Sequence, residues 1–239
     1  MERFWSDKGF SVGSDQAFPV WLRAGLVAFS LVLTAQAVWI LSAEFQHPHG
    51  IRVPVEQQAS TEAALHHAQA KRAAKLAVVR GDLWAESAFT SSGLPWTGQA
   101  ASSPAAIDEA RVHLERALQF SPHRGDVWLL LAAMADRYDW KGYTPSSLLK
   151  MSHYTAPNEP ALFLLRIKVS LHVAPIQDPE FADLIGRDIR LLITRTPAQK
   201  PALAAVYKAA SGPNKQFVER VVSAIDPAYL ADLLRTGPQ

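Results

Sequence analysis

The side chains that could do chemistry are few and scattered. The chain has no cysteine, which removes thiolate nucleophiles, thiolate metal sites, disulfides and iron–sulfur clusters together. His47 and His49 flank Pro48, and His66 adjoins His67. Neither pair has the ligand spacing of a zinc site, so a polar linker and an exposed helix face are expected there, and no metal. His113, His123, His153 and His172 stand singly, and chain order alone assembles no Ser-His-Asp group. GxGxxG, Walker A, HExxH and GxSxG motifs are absent. Arg187, Arg190 and Arg195 share a stretch with Asp183 and Asp188, the pattern of a solvated helix face. One carboxylate stands out: Glu86, followed by Ser87 and, a little later, by Gly93-Leu94. A carboxylate serves as a general acid only where its surroundings tune its pKa. The plain expectation is a solvated Glu86 beside a packed Phe89. No catalytic residue, cofactor or metal is assigned, and the chain is expected not to be an enzyme.

The elements that position these residues begin with a membrane candidate. Ala24 to Ala43 reads AGLVAFSLVLTAQAVWILSA, with no charge. Such a helix spans about 30 Å, the thickness of a bilayer core. Trp21 and Trp39 sit near its ends, where amphipathic rings favour the headgroup level. Arg3, Lys8 and Arg23 precede it, and Arg52 is the one basic residue soon after. That asymmetry predicts a single-pass protein of the inner (cytoplasmic) membrane, N-terminus inside, with the bulk of the chain periplasmic. A signal peptide cleaved after Ala35-Gln36-Ala37 or Leu41-Ser42-Ala43 predicts the same compartment; a buried core helix is the third reading. The expected organisation is a cytoplasmic segment 1–23, a transmembrane helix 24–43, a linker 44–59 broken by Pro48, Gly50 and Pro54, and a helical domain 60–236. Lys+Arg is 24 against Asp+Glu 22, a balance that argues against nucleic acid as a partner. The bilayer and other envelope proteins are the expected partners.

From Ser60 onward the period is 3.6, not 2, so the fold class is all-α. A first helix is expected over 61–88, with Leu65, Ala68, Leu76, Val79 and Leu83 on one face. Ser103-Pro104, Thr144-Pro145, Asp178-Pro179 and Asp226-Pro227 each put a cap residue before a proline at the first helical position. Asp126 and Asn158 are further candidate caps. The resulting helices are 104–120, 126–139, 145–154, 159–173, 179–195, 199–211, 214–225 and 227–235.

Ala110, Leu114, Ala117 and Pro122, followed by Trp128, Leu131 and Ala132, resemble a degenerate tetratricopeptide repeat. Shifted by 34 residues, Leu114, Trp128 and Leu131 meet Leu148, Leu162 and Leu165, and Pro157 falls one residue late. The small position fails, because Ala132 meets Arg166. The resemblance covers about residues 104–173. It implies stacked helical hairpins with Trp128, Leu114, Leu131, Leu162 and Leu165 in the core. It also implies a concave groove lined by Asp126, Leu129, Ala133 and Asp136 on one helix and by Pro160, Phe163, Ile167 and Ser170 on the next. Those positions are mostly apolar, so the groove either takes an apolar partner or is filled by the chain's own helices 179–235. The implied function is protein–protein interaction, in a setting such as cell-envelope or polysaccharide assembly. A second, shorter likeness joins Glu86-Ser87 and Gly93-Leu94 to the Glu-Ser start of lytic transglycosylases; it implies a glycan-acting enzyme with Glu86 as acid. The Gly-Leu-Met-Gln segment of that family is missing.

Overall fold

A computed structural model describes residues 20–45, 60–92, 103–173 and 175–235. The expected cytoplasmic residues 1–19 with Arg3 and Lys8, the linker residues 46–59 with His47, His49 and Arg52, and the loop 93–102 lie outside the described residues. The described part forms two units, taken in turn.

The first unit, which ends at Ser42, carries α1 (Val20–Phe45) but for the helix's last three residues. The helix begins four residues before the expected span and ends two after it. Over Val20–Ser42 it is long and apolar enough to cross a membrane, and none of that window is buried in the chain. Two of its hydroxyls bond back to their own helix: Thr34 Oγ1 donates to Ser30 O at 2.8 Å, and Ser42 Oγ to Trp39 O at 2.7 Å. Such back-bonding hides a polar group that hydrocarbon would not satisfy.

The second unit holds ten α-helices and one short 3-10 helix, Pro197–Gln199, among its described residues. The α-helices are α2 (Ser60–Leu76), α3 (Gly81–Ser91), α4 (Pro104–Phe120), α5 (Gly125–Arg137), α6 (Pro145–Thr155), α7 (Pro160–Val173), α8 (Pro179–Arg195), α9 (Lys200–Ala209), α10 (Gly212–Ser223) and α11 (Pro227–Arg235). The cap-proline signals fall where the helices start. Ser103 Oγ accepts from Ala106 N at 3.2 Å, and Asp178 Oδ1 accepts from Glu180 N at 3.0 Å. Asp226 Oδ1 accepts from Tyr229 N at 3.0 Å. Each bond satisfies a donor that the first turn leaves without a helical partner.

The long first helix expected over 61–88 is two helices. The chain breaks at 77–80, where two β-branched valines and Arg80 precede Gly81. Asp126 is not a cap either: Arg124 occupies the N-cap position of α5, and Asp126 lies inside its first turn.

The most extensive packing is between consecutive helices: α3 with α4, α5 with α6, α2 with α3, and then α7 with α8. α2 lies on α3, α9 on α7 and α10 on α8. One core runs through these helices. Leu114, Leu131, Leu162 and Leu165 belong to it. Trp128 does not: it is half-buried and packs against the core from outside, because its indole N–H donates to Pro122 O at 2.8 Å at the turn.

Candidate functional site

The hairpins close by a local device that occurs twice. Arg80-Gly81-Asp82-Leu83-Trp84 opens α3, and Arg124-Gly125-Asp126-Val127-Trp128 opens α5. In both, the arginine pairs with the aspartate two residues on, Arg80 Nη2 with Asp82 Oδ2 at 2.6 Å and Arg124 with Asp126. In both, the tryptophan N–H donates to the carbonyl six residues earlier, Trp84 to Val78 O at 2.9 Å and Trp128 to Pro122 O. In both, the glycine lies where the end of the partner helix comes closest. A Cβ at Gly81 would sit 2.7 Å from Ala117 O, and one at Gly125 would sit 2.5 Å from Ala156 Cβ and 2.9 Å from Ser152 O. The start of each first helix therefore meets the end of the second, which makes the pair antiparallel. The expected period of 34 residues does not reveal this pair, because the two motifs stand 44 residues apart.

The expected groove residues divide by burial. Leu129, Ala133, Phe163, Ile167 and Ser170 are buried, while Pro160 is exposed. The two carboxylates stay half-buried. Asp126 is held by Arg124 and accepts from Val127 N at 2.9 Å. Asp136 Oδ2 lies 3.1 Å from Nδ1 of the exposed His172, which links α5 to α7. Of these positions only Asp126, Asp136 and Pro160 reach the surface, the second paired there with His172.

Arg166, at the position where a small residue was expected, is fully buried and makes a joint of α6, α7 and α8. Its Nε donates to Asp188 Oδ2 at 2.8 Å and its Nη2 to Oδ1 at 3.3 Å. Nη1 donates to Ser152 O at 3.1 Å and Ala156 O at 2.9 Å. Those carbonyls lie at the end of α6; Ser152 O also accepts from Ala156 N at 3.2 Å, and the guanidinium adds a second donor there and a donor to the C-cap carbonyl of Ala156. Ser152 Oγ donates onward to Gly125 O at 2.6 Å. Asp188, read as part of a solvated face, is buried instead; Arg187, Arg190, Arg195 and Asp183 are exposed as that face requires. Buried His153 approaches Asp188 Oδ2 with Nδ1 at 3.5 Å. Burial pushes the Asp188 carboxyl up, to about 7, against the pull of Arg166. Burial and the Arg166 and Arg187 charges push His153 down, to about 3.

Glu86 is also a correction: it is 7 % exposed, inside α3, not solvated. Its charge is felt by Arg124, whose guanidinium lies 5.6 Å from the Phe89 ring centre. Nearby, Ser87 Oγ is 3.0 Å from His113 Nδ1. His113 is buried, tilted against Trp84 at a centroid distance of 5.0 Å, and burial lowers it to about 4. Serine and imidazole here meet with both side chains buried, at Nδ1, and the far Nε2 stands 3.9 Å from Glu109 Oε1. No three or more His, Asp or Glu side chains among the described residues group in a way that could hold a metal ion. Compared with protein-family models, curated proteins and solved structures, the chain finds no match.

Proposed function

We propose that the chain is a single-pass inner-membrane protein whose helical domain, in the periplasm, holds partner proteins through stacked tetratricopeptide-like hairpins. The observation that carries the reading is the repeated closure at Gly81 and Gly125. Two hairpins built on one local plan, followed by a third pair of helices, support a reading as a stacked helical array. Such arrays work by presenting surface to other proteins. α1 supports the membrane part of the reading by its length and apolar surface, and the basic residues before it support the orientation. Envelope or polysaccharide assembly is the setting that compartment and architecture favour.

Crosslinking in intact membranes, followed by identification of what is captured, tests the reading. A defined set of envelope proteins should be recovered. Glu86→Gln should leave that set unchanged, whereas an enzyme acting through Glu86 would lose turnover. A reporter that works only outside the cytoplasm, fused after Gln239, should be active. Activity of a cytoplasm-only reporter at the same point would overturn the topology.

A further inference from the structure

α2 is fastened to α3 and α4 in two ways. One is a face of small side chains, Ala70, Ala73 and Ala74 with Ala77 just past the helix end, all buried, and Leu76 packed against the core. Each methyl offers little apolar area of its own. The other is a single ionisable cluster centred on Glu109 of α4. Lys71 Nζ lies 2.7 Å from Glu109 Oε1 and 2.8 Å from Oε2. His67 Nε2 faces Oε1 at 3.7 Å, and His113 Nε2 faces it at 3.9 Å. The other nitrogen of each ring meets a hydroxyl of α3: His67 Nδ1 lies 3.0 Å from Thr90 Oγ1, and His113 Nδ1 lies 3.0 Å from Ser87 Oγ. The charged and titratable groups that act here are Lys71, Lys75 and His67 from α2 with Glu109 and His113 from α4; α3 contributes the two hydroxyls.

We propose that this cluster is a pH-sensitive latch: protons taken up by His67 and His113 release α2 from α3 and α4. With both imidazoles neutral, the Lys71 ammonium and the Glu109 carboxylate balance. With both charged, three cations crowd one carboxylate, and Lys75 adds a fourth charge of the same sign. Burial further disfavours the charged state of His113.

The electrostatics run in the required direction. Burial lowers His67 despite the pull of Glu109, and burial lowers His113 further, to about 4. Burial raises the Glu109 carboxyl, but the hydrogen bond and charge of Lys71 outweigh it and leave it lowered. The docked helix therefore binds fewer protons than the released one once pH falls below about 6.5, the ordinary histidine value. By linkage, acid then favours release. The joint of Arg166, Asp188 and His153 behaves differently and provides an internal reference. There burial raises the carboxyl and lowers the imidazole. Those two shifts change proton uptake on unfolding in opposite senses, so they oppose one another as pH falls, unlike the shifts at His67 and His113.

Hydrogen exchange of the full chain in detergent micelles, corrected for intrinsic rates, tests the latch between pH 7.5 and 5. The amides of α2 should lose protection tenfold or more while those of α7 and α8 keep theirs. His67→Gln with His113→Gln should abolish the loss. Lys71→Met is the second variant: the incoming imidazolium charges then replace the missing ammonium beside Glu109, and acid should no longer lower α2 protection. Unchanged α2 protection in the parent chain overturns the latch. So does an equal loss in α2 and α8, or a loss that persists in Lys71→Met.

Discussion

Removing Asp188 should be among the most damaging single changes in the molecule. Arg166 is fully buried and Asp188 is its carboxylate partner, at 2.8 and 3.3 Å. Asp188→Ala leaves a guanidinium in the core with two neutral carbonyls, Ser152 O and Ala156 O, as its acceptors. Breaking a buried pair from one side costs about 3–5 kcal/mol, because the surviving charge loses its compensation. For a helical domain of this size that corresponds to a fall in melting temperature of roughly 10 °C. Removing both charges should cost less. Arg166→Met with Asp188→Leu deletes the whole ion pair, and replacing such a pair by apolar groups is often neutral. Here it is not fully neutral, since Ala156 O loses the Arg166 donor, at about 1–3 kcal/mol where water cannot replace it, while Ser152 O keeps the Ala156 N–H. The order is therefore parent, then double variant, then Asp188→Ala. Urea unfolding followed by helical circular dichroism, on the full chain in micelles, reads that order. If Asp188→Ala is no less stable than the double variant, the guanidinium does not depend on this carboxylate and the account of the joint fails.

Three further outcomes follow from single positions. Gly81→Ala and Gly125→Ala should each destabilise by about 1–3 kcal/mol, since the new Cβ meets backbone or Cβ atoms at 2.5–2.9 Å; Gly186→Ala, whose Cβ would meet Val221 Cγ2 at 3.8 Å, should be neutral or stabilising by up to about 1 kcal/mol, and thermal melts of the three variants compare them. Leu129→Asp and Phe163→Asp should unfold the domain, because both side chains are fully buried and an unpaired charge there has no compensation; near-native melting of either would mean that these faces open to solvent. His113 titrates near 4 when folded and near 6.5 when unfolded, so unfolding takes up a proton in that window and stability falls with falling pH, by about 3 kcal/mol in total; the loss is absent above pH 6.5, and a His113→Gln chain should show that much less acid sensitivity in urea titrations at pH 7 and pH 4.

How far the sequence reveals the fold depends on whether a signal is local. The cap-proline pairs are local, and helices start at Pro104, Pro145, Pro179 and Pro227 as those pairs require. The break between α2 and α3 is not. It has no proline, and the apolar positions on either side keep a helical period through it. What ends α2 is the tertiary need to bring Gly81 against Ala117 and Ser121. Trp128 shows a related limit. Period and residue type place a large ring toward the core, yet the indole N–H needs an acceptor, and the carbonyl of Pro122 holds it at the edge.

The polar interior was harder still to read, though it left one mark. A 3.6 period sorts residues into faces, and Asp188 shares its helix with exposed arginines at neighbouring positions. Nothing in that pattern says that this carboxylate points inward. The mark lies on the partner helix. Leu162 to Val169 is apolar apart from Arg166 and Lys168, and Arg166 is the residue that breaks the expected small position. A long cation where two helices should approach closely must either force them apart or be swallowed with a partner. The second outcome holds here, and it explains why α6, α7 and α8 meet at one point: the guanidinium takes the carboxylate of α8 with one edge and the last carbonyls of α6 with the other. The departure from the repeat pattern is thus the feature that ties the third pair of helices to the second.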